Sequence, residues 1–280
     1  MFETSERKTA IVEATSDSAH MLGQFIHPPE SRLARLSFLQ LEDAYPNAGL
    51  FALIDFLSYQ AGVSRATNLL AEVEDSSLLF EPFRHAGFSA YGIETVWRIP
   101  QSSSSSNKKL SAWLQALPKD EVQIRCLYQN VTPPLEQAAE PYQPNGDARL
   151  VYSVNNEIVA WVNYQSGSLG TYLVPVLHPS LKEPALLLQD LFEKFSDPAR
   201  SVYIRVRSHQ SWLNSPLETL GAQPVGQFML LVKHLAVSQK AAVTNEQRAR
   251  ADARQAKPTV PILRNLAPGD TLPENKNGLK

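Results

Sequence analysis

Cysteine is nearly absent: Cys126 is the one thiol in 280 residues, which excludes an intramolecular disulfide and a thiolate-rich zinc site. An excess of either charge is missing as well. The chain holds 26 Lys+Arg against 28 Asp+Glu, a formal net charge of −2, so it has no strong electrostatic pull toward nucleic acid or an anionic membrane. Long apolar runs are lacking too; stretches such as Phe228 to Val232 are far too short to cross a bilayer. The opening residues, Met1 to Lys8, are charged and lead into no apolar segment, so no secretory signal is expected and a cytoplasmic location is the default. Histidines stand at 20, 27, 85, 178, 209 and 234 with no close pair at metal-ligand spacing, so no metal site is expected. The Gly-x-Ser-x-Gly elbow of a serine hydrolase does not occur.

What the chain does hold is apolar material for two cores. Hydrophobic residues make up 43% and charged residues 19%, and the length suits two domains of ordinary size. The composition marks the boundaries. Five serines in a row, Ser102 to Ser106, precede Lys108 and Lys109, so 101–109 is expected to be a flexible linker between a first half, 1–100, and a second, 110–237. The stretch 238–280 carries Pro258, Pro261, Pro268 and Pro273 among polar residues and is expected to be a disordered tail. From Lys240 onward the tail has eight Lys/Arg and four Asp/Glu, a charge of +4, which leaves −6 on the rest.

Within the two halves one pattern occurs twice. In the first, candidate strands around Thr9–Ala14, Met21–His27 and Leu33–Leu39 precede a helix with Leu50, Leu53, Ile54 and Leu57 on one face. A strand, Asn68–Val73, follows, then a short helix ending at Gly87 and a closing strand over Tyr91–Ile99. In the second, Leu150–Val154, Ile158–Tyr164 and Thr171–Val176 form a meander with a turn at Asn155-Asn156. A helix with Leu187, Leu191 and Phe195 on one face comes next, then strand Val202–Val206, a helix ending at Gly221 and strand Gly226–Val232. Pro82 precedes Gly87 by five residues, as Pro216 precedes Gly221, and bulky Phe83 and Leu217 follow the prolines. Repeated in the same element order, this spacing favours an internal duplication.

Two local sequences carry a family resemblance. Leu69-Leu70-Ala71-Glu72-Val73-Glu74 through Phe83-Arg84-His85-Ala86-Gly87-Phe88 is similar to the fourth strand, fourth helix and closing Gly-Phe of the GNAT superfamily of N-acetyltransferases. Val176-Leu177-His178-Pro179-Ser180 resembles the strand end that leads into that family's acyl-CoA loop. The resemblance covers about 9–99 and 113–235. It implies an α/β (or α+β) protein of two GNAT-like modules, each a mixed, mostly antiparallel sheet flanked by helices. The first module is truncated: the family's two opening helices have candidates only in the second half, at Pro118–Tyr128 and Pro133–Glu140.

By that resemblance Ser180, Leu181 and Lys182 are the cofactor-binding positions, acetyl-CoA or another acyl-CoA is the cofactor, and an amine is the acceptor. The sequence departs from the family at both chemical devices. The loop needs glycines whose backbone amides approach a diphosphate at a helix N-terminus, whereas Leu181-Lys182-Glu183-Pro184-Ala185 puts a carboxylate and a proline there. The corresponding stretch of the first half, 43–49, again has a carboxylate, a proline and no glycine pair. The tyrosine that resembles the family's general acid is replaced by Phe83 and by Leu217.

Other residues have two readings each. Glu72 and Glu74 are candidate catalytic bases for deprotonating an amine, or solvated strand-end charges. Tyr203, Arg205 and Arg207 share one strand face; the arginines are candidate anion-binding groups, or members of an exposed salt-bridged face. Cys126 is expected to pack in a helix core. Two functions stay open: an acyl-CoA-dependent N-acyltransferase with unusual loops, or a non-catalytic module of the same fold that binds a small molecule or serves assembly. Neither follows from the fold by itself.

Overall fold

The computed structural model describes residues 6–13, 20–29, 31–41, 48–100, 111–143, 148–167, 170–197 and 200–235. The expected linker 101–109, the expected tail and residues 43–47 of the first half's loop lie outside them. The first half runs β1 (Glu6–Glu13), β2 (His20–His27), β3 (Leu33–Leu41), α1 (Ala48–Val63), β4 (Asn68–Glu74), α2 (Phe80–His85) and β5 (Ser89–Ile99). The second opens with β6 (Leu114–Gln115), a 3-10 turn (Pro118–Asp120), α3 (Glu121–Val131) and α4 (Pro134–Ala139). It continues with β7 (Ala148–Val154), β8 (Glu157–Ser166), β9 (Gly170–Leu177), α5 (Pro184–Lys194) and β10 (Ser201–Arg207). A 3-10 segment (Ser208–Leu213), α6 (Asn214–Thr219) and β11 (Gln223–His234) close it. The order meander, helix, strand, helix, strand thus occurs twice, and the two extra helices precede only the second copy.

Local chemistry accounts for the repeated pieces. Gly87 and Gly221 both have positive φ, 87° and 77°, a conformation that glycine adopts without a Cβ penalty. Each ends its helix in a Schellman motif. The Gly87 and Phe88 amides donate to the carbonyls of Arg84 and Phe83, and the Gly221 and Ala222 amides donate to those of Glu218 and Leu217. The apolar contact that goes with the motif is Phe83 against Phe88, edge to face at 5.0 Å. This explains the bulky residue after each proline: Phe83 and Leu217 are buried helix-end anchors. The turn from β7 to β8 has positive φ at both Asn155 and Asn156, as a type I′ hairpin requires.

All eleven described strands form one sheet in the order β1-β2-β3-β4-β11-β5-β10-β9-β8-β7-β6. That order is a near-palindrome about the antiparallel β11/β5 pair. Each half's closing strand has crossed into the other half: β11 lies between β4 and β5, and β5 lies between β11 and β10. β11 pairs Leu231 with Ala71, while β5 pairs Trp97 with Ile204. Leu230, Leu231 and Val232 are buried at 0–3% exposure, so the exchange brings full core side chains, each contributing roughly 1.5–3 kcal/mol.

Helices α1, α2, α5 and α6 cover one face. There, Leu50, Leu53, Ile54 and Leu57 pack in one core with Met21 and Phe25 of β2, Leu53 and Leu57 lying over Gly23, and Leu187, Leu188 and Leu191 pack on β8 to β10. Helices α3 and α4 cover the other, with Ile124 and Leu127 on Trp161 and Val176, and Ala139 beside Leu70, Tyr91 and Leu230. Cys126 departs from its expected core position: it is exposed on α3, because Ile124 and Leu127 already form the buried stripe of that helix. None of the described helices is long and apolar enough to cross a membrane.

Candidate functional site

The face under α3 and α4 carries a chain of ion pairs that ties the halves together. Glu94 on β5 has a fully buried side chain and accepts from Nε of Arg205 at 2.6 Å and Nε of Arg207 at 3.0 Å. Arg205 also meets Glu72 of β4 at 2.7 Å, and the other Glu72 oxygen accepts from Arg35 of β3 at 2.6 Å. Arg35 and Arg207 both reach Glu140, at 3.0 and 2.8 Å, and the Tyr91 hydroxyl donates to the same carboxylate. Arg207 lies 3.4 Å from Glu136 on α4, whose other oxygen faces His209 Nδ1 at 2.8 Å.

Four carboxylates therefore share three guanidiniums and one imidazole. Burial pushes the Glu72 carboxyl up, but Arg205 and Arg35 outweigh it and hold the group below its ordinary value. Burial acts the same way on Glu140, and there Arg207, Arg35 and the Tyr91 hydrogen bond hold the carboxyl far below the usual range. Burial, with Glu140 beside it, pushes the Tyr91 phenol well up; the proton on that oxygen stays in place to bridge the two.

This geometry decides what the sequence candidates can do. Glu72 is a salt-bridged carboxylate with both oxygens engaged, a poor proton acceptor at neutral pH. Glu74 is exposed at the end of β4, outside the ion-pair chain. Arg205 and Arg207 are largely buried, at 22% and 15% side-chain exposure, and already neutralised, so they are neither a vacant anion site nor an exposed face. Sequence reasoning missed Arg35, Tyr91, Glu94, Glu136, Glu140 and His209. One signal was available: Glu94 is a lone carboxylate in the apolar run of β5, and a buried charge requires a partner.

The turn after β9 places the three expected cofactor-binding residues. Ser180 and Lys182 are exposed, and Leu181 packs against the core of the second half. His178 organises the turn: its Nδ1 lies 2.6 Å from Ser180 Oγ and accepts the Ser180 amide, while its carbonyl accepts the Leu181 amide. Glu183 stands at the N-cap of α5 and Pro184 at the first helical position. Two amides are thus used within the turn, Pro179 and Pro184 have none, and a carboxylate sits at the positive end of the helix dipole. A diphosphate has a poor seat here.

A second feature of this region was invisible in the sequence. Strands β9 and β10 run parallel and pair only over Gly170–Leu173 and Ser201–Ile204, after which they diverge. The buried side chain of Gln210 fills the divergence: its Oε1 accepts from the Leu177 amide at 3.1 Å and its Nε2 donates to the Pro175 carbonyl at 3.3 Å. The carboxamide stands in for the missing neighbour strand. Gln210 itself departs from helical geometry, at φ −111° and ψ 21°, inside its 3-10 segment.

An opening lies toward the other end of the same strands. A cavity of about 490 Å³ is lined by the rings of Tyr172, Tyr203 and Phe228, by Val96 and Val174, and by the Glu72–Arg205 pair. Tyr172 stacks on Tyr203 with ring centres 5.1 Å apart and planes at 17°. The volume is that of a small-molecule site. Among the described residues no cluster of His, Cys, Asp and Glu is placed to hold a metal ion.

No family model matches the chain, and no curated protein sequence matches it. Solved structures do. One is a functionally unknown conserved protein from Staphylococcus epidermidis, 12% identical, with a TM-score of 0.54 over 84% of this chain and 96% of the other. Another is a GCN5-related N-acetyltransferase from Sphaerobacter thermophilus, also 12% identical, with a TM-score of 0.50 over 81% of this chain and 80% of the other. At that identity the likeness concerns the fold.

Proposed function

We propose that this chain, a protein of the GNAT fold in two modules, is a non-catalytic binding member of that fold. The supporting observation is Gln210. By the family resemblance the acyl-CoA loop follows β9, so an acyl chain entering from that loop would run along the free edge of β9. Gln210 already holds the amide and carbonyl of that edge. Displacing it leaves a buried carboxamide unpaired, at a cost of about 1–3 kcal/mol. The turn adds a carboxylate and two prolines where phosphates would lie, and the Glu72 carboxylate is held in ion pairs on both oxygens. The cavity beside Tyr172 then serves binding.

Melting of the full chain with and without 1 mM acetyl-CoA tests this reading. The expected result is no measurable rise. A Kd of 10 μM would stabilise the folded state by about 2.7 kcal/mol under those conditions, and such a rise would overturn the proposal. So would steady acetylation of an amine that a single carboxylate substitution abolishes.

A further inference from the structure

We infer that the cavity over β9, β10 and β11 is a site for a small organic cation of the methylated ammonium class; this rests on the reading that the chain binds a ligand rather than transforms one. The rings come first. Tyr172, Tyr203 and Phe228 converge on one opening of about 490 Å³, and an aromatic face attracts a cation through its quadrupole. The cation–π contacts the protein makes among its described residues fall on other rings: Arg149 on Tyr142 and Trp161, Arg207 on Tyr91, and Lys233 on Phe88. The cavity rings are left to a ligand. Tyr172 is 48% exposed although it stacks on Tyr203, so a broad ring surface faces the opening.

Charge excludes an anion. The lining contains neither lysine nor histidine, and its one guanidinium, Arg205, is shared between Glu72 and Glu94. Hydrogen bonding then selects within the cations. A primary ammonium has three N–H donors that need acceptors, but both Glu72 oxygens accept from Arg35 and Arg205. The rest of the wall is Val96, Val174 and Val225 together with Gln165, Asn163, whose Oδ1 accepts from Arg149, and Tyr164, whose hydroxyl donates to Gln115. Each methyl added to an ammonium replaces an N–H group, until the quaternary ion has none; it also spreads the charge over methyl hydrogens and buries apolar surface against those valines. The chemistry of that ion matches the ring faces and valine methyl groups of this wall, where the one carboxylate is already paired.

The test is calorimetric titration of the full chain with choline and with 3,3-dimethylbutan-1-ol, its neutral isostere. Choline is expected to bind at least about tenfold more tightly, with affinity rising from methylammonium to tetramethylammonium. Tyr172→Leu removes an exposed ring and is expected to keep the melting temperature while weakening choline about fivefold. Tyr203→Leu, deeper in the stack, is a second variant, read only with an unchanged far-ultraviolet spectrum. Equal binding of choline and the alcohol, an affinity order that falls with methylation, or no heat with 10 mM choline would each overturn the inference. None of these results bears on acetyl-CoA, whose binding is read in a separate titration, so the two readings fail separately.

Discussion

The two halves share a frame and differ in what covers it. Each has the meander, the crossover helix, the short helix with its positive-φ glycine and the closing strand. The second half also has α3 and α4, and it extends them over the first. The Asn68 side chain donates to the carbonyls of Ala138 and Ala139, Arg35 pairs with Glu140, and Gln143 donates to Ser31. The first half is therefore joined by its neighbour twice, once by strand β11 and once by the end of α4. The frame occurs twice, and α3 and α4, which occur once, reach across both copies.

The sharpest way to break this comparison is to separate the halves. Residues 1–100 expressed alone lose β11 and β10 as sheet neighbours and are expected to be unfolded by circular dichroism and amide dispersion. A cooperatively folded fragment would show that the exchange is not essential to the first module.

Acid comes next, since it acts on the whole chain of ion pairs. The Glu72 and Glu140 carboxyls are held below their ordinary value of 4.5 in the folded state. Their contribution is complete above that value and is lost as pH falls below it, because the unfolded chain then binds protons that the folded one refuses. Denaturant midpoints are expected to be flat from pH 7 to about 5 and to fall steadily below about 4.5. A midpoint that held constant to pH 3 would deny the network a role in joining the halves.

Glu94→Ala isolates the centre of that network. It leaves Arg205 and Arg207 facing a fully buried gap, and breaking a buried pair from one side costs about 3–5 kcal/mol. Urea unfolding should report it. The exposed Glu81–Arg84 pair of the first half is the contrast: Glu81→Ala should change stability by less than about 1 kcal/mol.

Between those extremes lies a test of equivalence. An added Cβ at Gly87 meets Lys233 Cε at 3.7 Å, and one at Gly221 meets Pro100 Cγ at 3.6 Å. Both are ordinary contacts, so Gly87→Ala and Gly221→Ala should cost the same, about 1–2 kcal/mol each, from the left-handed backbone alone. Unequal costs would mean that the two caps only look alike.

The sequence by itself determined the local pieces of this protein. Leu50, Leu53, Ile54 and Leu57 marked α1 by their spacing and are all buried; Asn155-Asn156 marked a hairpin; Pro82 to Gly87 and Pro216 to Gly221 marked two alike helix ends. Periodicity, turn chemistry and capping act over a few residues, so they are legible without a partner. The tertiary structure decided the rest. Arg205 and Glu94 stand 111 residues apart, and no local pattern distinguishes a paired guanidinium from a vacant one. The closing strands carry the same alternation whichever neighbour they join, so their exchange is settled only by which edges are free when the sheet assembles. Gln210 is an unremarked polar residue in a 3-10 segment until β9 and β10 diverge beside it and leave a backbone amide and carbonyl to be met. Hydrogen bonds and ion pairs between distant segments take their meaning from proximity, and the fold creates that proximity.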